Sequence, residues 1–224
     1  MPNRTARLLL TASICAVALA GCGGDDGTGD RSPATSTTEP ASQYGSSMGV
    51  TPGDVADVAA LGDGPADGEV WEVPVGLSVC GRFVDLPTGD PVGGVTAGAF
   101  SATVEGGGAA TPTVGDLADS AGIELGAGRL TLPEGIVPPE LDNTDPPTPI
   151  AGASLATGDL CGQTPGEVQV WVYSEDARES GDGILVVTQD VGNVPFVQEG
   201  MAMVIAFTPE SSLPTLPPSA LATG

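Results

Sequence analysis

Apolar residues fall at every second position through Val73, Val75, Leu77 and Val79, the period of a half-buried strand, here ending on Cys80. The turn signal Thr88-Gly89-Asp90-Pro91 follows. Alternation resumes from Val95 to Val104, with Phe100, Ala102 and Val104 on one face, and Gly106-Gly107-Gly108 ends it. Near Thr111 the period changes to that of a helix. Thr111-Pro112 offers an N-cap followed by proline at the first helical position, and Thr113 with Asp116 offers a second cap. Val114, Leu117, Ala118 and Ala121 form the apolar stripe, and Gly122 sits where a glycine stops a helix. This is the one helix the pattern predicts. Leu130-Thr131-Leu132 reads as a short strand, and Pro133 to Gly158 as a proline-rich acidic surface loop. Val168, Val170 and Val172 alternate with Gln169, Trp171 and Tyr173, and Ile184 to Val187 is a short strand. Met201 to Phe207 is apolar throughout, as a central strand covered on both faces requires.

Strands, a helix, then further strands make an α+β order. The expected architecture is a mixed sheet of about five strands with one short helix, in a β-grasp-like arrangement; a β-sandwich is the alternative. The folded domain is expected over 68–210, with an extended proline-rich tail over 211–224. Between residues 22 and 67, Gly, Ser, Thr, Pro, Asp and Ala dominate, a composition that buries too little surface to offset its ordering entropy. That stretch is expected to be a disordered tether, with a transient helical turn at most from Val55 to Leu61.

Ahead of the tether, Arg4 and Arg7 precede an apolar run from Leu8 to Ala20. The run is shorter than the roughly twenty residues of a membrane-spanning helix. Its charge, length and closing small residues are those of a secretion signal over residues 1–21. Leu19-Ala20-Gly21-Cys22 resembles a bacterial lipobox. The resemblance implies that Cys22 carries a diacylglyceryl group with palmitate-type chains and becomes the mature N-terminus. Buried acyl methylenes then hold the protein on the outer face of the cell membrane. Cys15 leaves with the signal.

Composition narrows the partners. Six arginines, no lysine and no histidine stand against twenty-nine acids, a net charge of −23. Such a surface repels phosphate backbones, so nucleic acid is excluded as a partner. The alanine, glycine, valine and proline richness without lysine points to a GC-rich genome, an actinobacterium before a halophile. Outside the membrane the two remaining cysteines, Cys80 and Cys161, are expected to pair. A bridge closing so long a loop contributes roughly 4 to 5 kcal/mol in the chain-entropy account.

The core resembles a group of actinobacterial membrane-anchored proteins with no assigned activity. The resemblance is carried by Trp71 with Cys80, Asp90-Pro91, Pro112 to Leu125 with Leu130-Thr131-Leu132-Pro133, Cys161-Gly162 into Val168-Gln169-Val170-Trp171, and Met201 to Phe207 before Pro209. Members of that group carry paired histidines, which alternate on one strand face in good metal-ligand geometry. Here the matching positions hold Val70, Glu72, Val95, Ala97, Thr103 and Glu105. The resemblance therefore implies the scaffold without a transition-metal site.

Candidate chemistry is sparse. Gly45-Ser46-Ser47-Met48-Gly49 matches a nucleophile elbow by letter, but it lies in the tether of a chain without histidine. The acidic groups Asp25, Asp26 and Asp30, Asp142 and Asp145, and Glu175, Asp176, Glu179 and Asp182 lack a calcium-loop spacing and read as solvated loops. Glu72 and Glu105, on neighbouring expected strands, are the pair to weigh for carboxylate-dependent hydrolysis. Trp71 and Trp171 are expected in the core rather than as ligand platforms. The reading that results is a lipid-anchored envelope module of binding or structural type, without cofactor, contacting an envelope protein or a small molecule through its sheet face or the loop from Pro133. The alternative is a carboxylate-dependent envelope hydrolase or a calcium-binding domain.

Overall fold

The computed structural model describes residues 49–134, 136 and 152–221. Cys22, the first two acidic groups, the elbow-like motif up to Met48 and most of the proline-rich loop lie outside them.

In chain order the elements are β1 (Val50–Gly53), α1 (Val55–Ala59), β2 (Val70–Val79), β3 (Arg82–Val84), β4 (Val95–Ala97) and β5 (Ser101–Glu105). Then come α2 (Val114–Ser120), β6 (Glu124–Gly126), β7 (Arg129–Thr131), β8 (Ser154–Ala156), β9 (Leu160–Cys161) and β10 (Thr164–Tyr173). The last are α3 (Glu175–Ser180), β11 (Ile184–Val187), a 3-10 turn (Val191–Asn193), β12 (Ala202–Pro209) and α4 (Pro218–Leu221). The architecture is α+β. The main sheet is mixed and runs β1-β11-β10-β12-β2-β5-β4, with β3 beside β2 and β9 beside β10. Nine strands replace the expected five or so, because two- and three-residue strands carry no readable period.

β12 lies at the centre, antiparallel to β10 and parallel to β2. Met201, Met203, Ile205 and Phe207 enter one core cluster, while Ala202, Val204 and Ala206 enter another. A central strand covered on both faces is what its unbroken apolar run predicts. The first face carries the larger cluster, which holds Val73, Val75, Leu77 and Val79 of β2 together with Leu117 and Ala118 of α2.

The alternation from Val95 to Val104 is a hairpin, not one strand. Its chain reverses at Gly98, whose N–H donates to the Ser101 carbonyl at 2.8 Å. Val95 then faces Val104, and Ala97 faces Ala102. The core-facing positions stay in step across the turn, so the break leaves no mark on the pattern; Phe100 is only half-buried.

Helix α2 starts at the second of the two expected caps. The Thr113 hydroxyl accepts from the Asp116 N–H at 3.3 Å, and the Asp116 carboxylate accepts from the Thr113 N–H at 2.8 Å. At the other end, the buried Ser120 hydroxyl accepts from the Ala97 N–H at 3.0 Å and donates to the Asp90 carbonyl at 2.8 Å. It ties helix, hairpin and the 88–91 turn together. Ser120→Ala leaves both backbone groups without that partner, and the expected loss of stability is about 1 to 3 kcal/mol, read as a drop in urea midpoint at unchanged slope.

Residues 49–67 are ordered structure and not tether. β1 pairs in parallel with β11, and the Gly49 carbonyl accepts from the N–H groups of Gly183 and Ile184 at 2.7 and 3.0 Å. Asp54 caps α1 in a capping box with Asp57, and Val58 is fully buried. The turn after α1 then docks so closely that a Cβ on Gly62 would stand 2.2 Å from the Val197 carbonyl oxygen. The C-terminal stretch is likewise docked. α4 lies against β2, and the Ser219 hydroxyl donates to the Phe100 carbonyl. Among the described residues no helix is long and apolar enough to cross a membrane.

A candidate ligand groove on the second sheet face

The sequence points first to Glu72 and Glu105, and the structure does bring them to adjacent strands. Glu72 stands opposite Thr103 and Glu105 opposite Val70, so the carboxylates are diagonal neighbours on one face of the β2–β5 ladder. That face is open at this end: Val70, Glu72, Thr103 and Glu105 are all exposed. Neither acid lines the groove described below. The positions matched to the paired histidines of the resembling group divide between faces. Val95 and Ala97 point into the core, while Val70, Glu72, Thr103 and Glu105 point away from it. Among the described residues no group of three or more acids or cysteines converges as a metal site, the acids of Glu175 to Asp182 included.

Both tryptophans are core residues. Trp71 belongs to the larger cluster and Trp171 to the smaller. Beside Trp71, the Glu69 carboxylate accepts from the Ala66 N–H at 2.8 Å. That backbone bond holds its carboxyl below the usual carboxylate pKa range, and the nearby indole N–H acts the same way without closing to bonding geometry. Cys80 and Cys161 are bonded, with Cα atoms 5.3 Å apart, inside the usual span for a bridge. The bond joins the end of β2 to the start of the β9–β10 hairpin.

The functional geometry that sequence reasoning misses lies on the second face. Side chains two apart on a strand share a face, so Glu167, Gln169, Trp171 and Tyr173 stand in a row along β10. Three of the four bond to one another. The Trp171 indole N–H donates to Gln169 Oε1 at 2.7 Å, and Gln169 Nε2 donates to Glu167 Oε1 at 2.8 Å. Opposite the row the neighbours are small: Ala202, Val204 and Ala206 on β12, then Gly76 and Ser78 on β2. Gly76 is required there, since a Cβ would come within 2.7 Å of the Phe83 ring and 3.2 Å of Pro217. This shallow face lets Phe83 and the C-terminal stretch lie close.

Tyr173, the last of the row, departs from it. Only 2 % of its surface is exposed, yet among the described residues its hydroxyl has no hydrogen-bond partner. Burial pushes the phenol's pKa well above its ordinary value. Tyr173 lines a groove of about 400 Å³ walled mainly by apolar surface, with Val50 of β1, Ala177 of α3, Ile184 of β11, and Pro214 and Leu216 beyond β12. A volume of this order suits a small molecule. Arg178 also lines it. One guanidinium nitrogen, Nη1, donates to the Gly200 carbonyl at 2.6 Å, while Nε is buried and has no partner among the described residues. No carboxylate pairs with Arg178 among the described residues, in a chain that has twenty-nine acids to offer. A buried donor left unsatisfied costs about 1 to 3 kcal/mol. Both residues line the same apolar cavity.

A second cleft, of about 450 Å³, lies between Leu125–Gly128 and the 188–193 segment. Its polar side chains Thr188, Gln189 and Asp190 are exposed, and none presents a buried unpartnered atom.

Tyr173 gives a direct alkaline test. Its raised pKa means that the fold favours the neutral phenol. That contribution is complete below the unfolded value near 10 and is lost as pH rises toward the folded value. In a Tyr44→Phe chain, where Tyr173 is the only phenol, tyrosinate absorbance is expected to appear only together with unfolding, as followed by circular dichroism. Ionisation of Tyr173 in a folded chain near pH 10 would contradict its burial.

In comparisons with known proteins, no family model, no curated protein and no solved structure matches this chain.

Proposed function

We propose that the protein is a lipid-anchored module of the bacterial envelope that binds a small, largely apolar molecule in the groove beside Tyr173 and performs no chemistry on it. The observation that carries the binding reading is the groove itself, apolar in lining and bordered by two buried donors without partners. The lipobox ending in Cys22 supports the anchor and the outer location, and the disulfide is in keeping with an oxidising compartment. Membrane attachment is through the N-terminal lipid, and an envelope protein is a further candidate partner. The place of the chain near the actinobacterial membrane-anchored group is part of the same proposal.

The scaffold is read as an elaborated β-grasp. Its supporting feature is the order β11-β10-β12-β2-β5, with the first and last long strands parallel at the centre and α2 following the β2–β5 pairing. β1, β3, β4 and β9 are then additions at the edges and ends.

Two measurements test the proposal. A full chain carrying Cys22→Ala is expected to leave the membrane fraction and to lose labelling by a palmitate analogue. The same chain is expected to bind Nile red, an uncharged apolar dye, saturably with one site. Thr215→Trp, which adds an indole at the exposed rim of the groove, is expected to abolish dye binding without changing the fold. Dye uptake unchanged by Thr215→Trp would remove the groove from the reading.

A further inference from the structure

We infer that the molecule held in the groove is a single-chain amphiphile with a carboxylate head, its oxygens accepting from the Tyr173 hydroxyl and the Arg178 guanidinium. This rests on the binding reading above and adds the chemical class of the ligand.

The inference follows from how the polar and apolar surfaces are divided. The walls contributed by Val50, Ala177, Ile184, Pro214 and Leu216 present hydrocarbon, so the body of the ligand is hydrocarbon. The two unpartnered atoms, Tyr173 Oη and Arg178 Nε, can both donate, so the head must accept. One of the two belongs to a permanent cation, which favours an anionic acceptor, and a planar carboxylate matches a guanidinium edge.

The remaining charges near the head are acidic: Glu175, Asp176 and Glu179 on α3, and Asp182 just after it. All four are exposed, so water and salt screen them, whereas Arg178 Nε and the phenol are buried where screening is weak. Contact with the half-buried guanidinium is therefore screened less than the acidic surround. A cationic head would instead meet the Arg178 guanidinium as a like charge. Neighbours on the row reinforce the assignment, because Glu167, Gln169 and Trp171 satisfy one another and leave Tyr173 alone available.

The test uses the full chain with Cys22→Ala, so that no acyl group of its own competes for the groove. Dodecanoate, dodecanol and dodecyltrimethylammonium, each below its micellar concentration, are titrated calorimetrically. Dodecanoate is expected to bind one to one, on the order of tenfold or more tighter than either of the others. Tyr173→Phe and Arg178→Gln are each expected to weaken dodecanoate by about tenfold and to leave dodecanol unchanged. Tyr173→Phe keeps the ring and removes only an unpartnered buried hydroxyl, so its melting temperature should equal or exceed that of the parent. It keeps the inference testable if Arg178→Gln, which also loses the bond to Gly200, fails to fold.

Equal binding of dodecanoate and dodecanol, with Tyr173→Phe silent, would overturn the carboxylate assignment and leave the apolar groove standing. Failure of all three amphiphiles and of Nile red would remove the binding reading as well. Capture of phosphatidylglycerol vesicles without uptake of free dodecanoate would assign the groove to a bilayer and also overturn the inference.

Discussion

Cys80→Ala together with Cys161→Ala is expected to lower the stability of the domain by roughly 3 to 5 kcal/mol, a fall in melting temperature on the order of 10 °C. The bridge spans 81 positions and closes a loop that contains the β4–β5 hairpin, α2 and the whole three-stranded sheet β6-β7-β8. Unfolded, the reduced chain gains the freedom of that entire loop. Folded, little changes, because β2 still pairs with β12 and β12 with β10 through long ladders. The effect should therefore act chiefly on the unfolded state, leaving the far-ultraviolet spectrum of the native protein unaltered. Calorimetry of the double variant, set beside the parent with and without reductant, checks both magnitude and origin. A loss below about 1 kcal/mol would mean that the loop is already restrained in the unfolded chain.

Removing residues 1–67 is expected to produce an aggregating fragment, although composition alone places the domain boundary there. Two things are lost. β1 leaves β11, and the sheet then ends on Ile184–Val187, an apolar edge with unpaired backbone groups that can template pairing with another chain. Val58, fully buried, leaves the larger core; burial of one valine contributes about 1.5 to 3 kcal/mol, before the contacts of Gly62 and Gly64 with Val197 are counted. A chain starting at Ala41 keeps both features and is expected to remain monomeric. Light scattering and melting temperature for the two starts separate the outcomes. For the single change Val58→Asp, which buries a charge in that pocket, the loss should exceed about 3 kcal/mol.

The long strands could be read from the pattern because each contributes a face, and burial of a face imposes a period. β2, β10, β11 and β12 fall where alternation or an unbroken apolar run places them. Most short elements were read weakly or not at all, for a physical reason. Helices α1 and α3 have five and six residues, too few to repeat an apolar stripe, and each buries a single side chain, Val58 or Ala177. Their caps, Asp54 with Asp57 and Ser174, were the only local marks. Three-residue strands such as β6 and β8 are specified by the partners they meet. Residues 49–67 looked like tether because glycine, proline and aspartate at turns and caps resemble low complexity when averaged.

The acidic pair was legible in part: the strands carrying Glu72 and Glu105 are neighbours, but both side chains are exposed. The groove was not legible at all. Its walls come from β1, the β10–α3 junction, β11 and the segment after β12, and only folding brings these together. One signal did exist. Arg178 is one of six arginines in a strongly acidic chain without lysine, and rarity of that kind marks a position worth locating.

The parallel pairing of β2 with β12 also governs when folding can finish. Its register joins Val75 to Met203 and Val79 to Phe207, so the middle of the sheet is built from the two ends of the domain. A ribosome or a secretion channel that releases the N-terminal end first delivers β2 long before its partner exists. Until β12 emerges, β2 has only its antiparallel neighbours, β3 and β5, to pair with. The central ladder is therefore among the last pairings that a chain released from its N-terminal end can make.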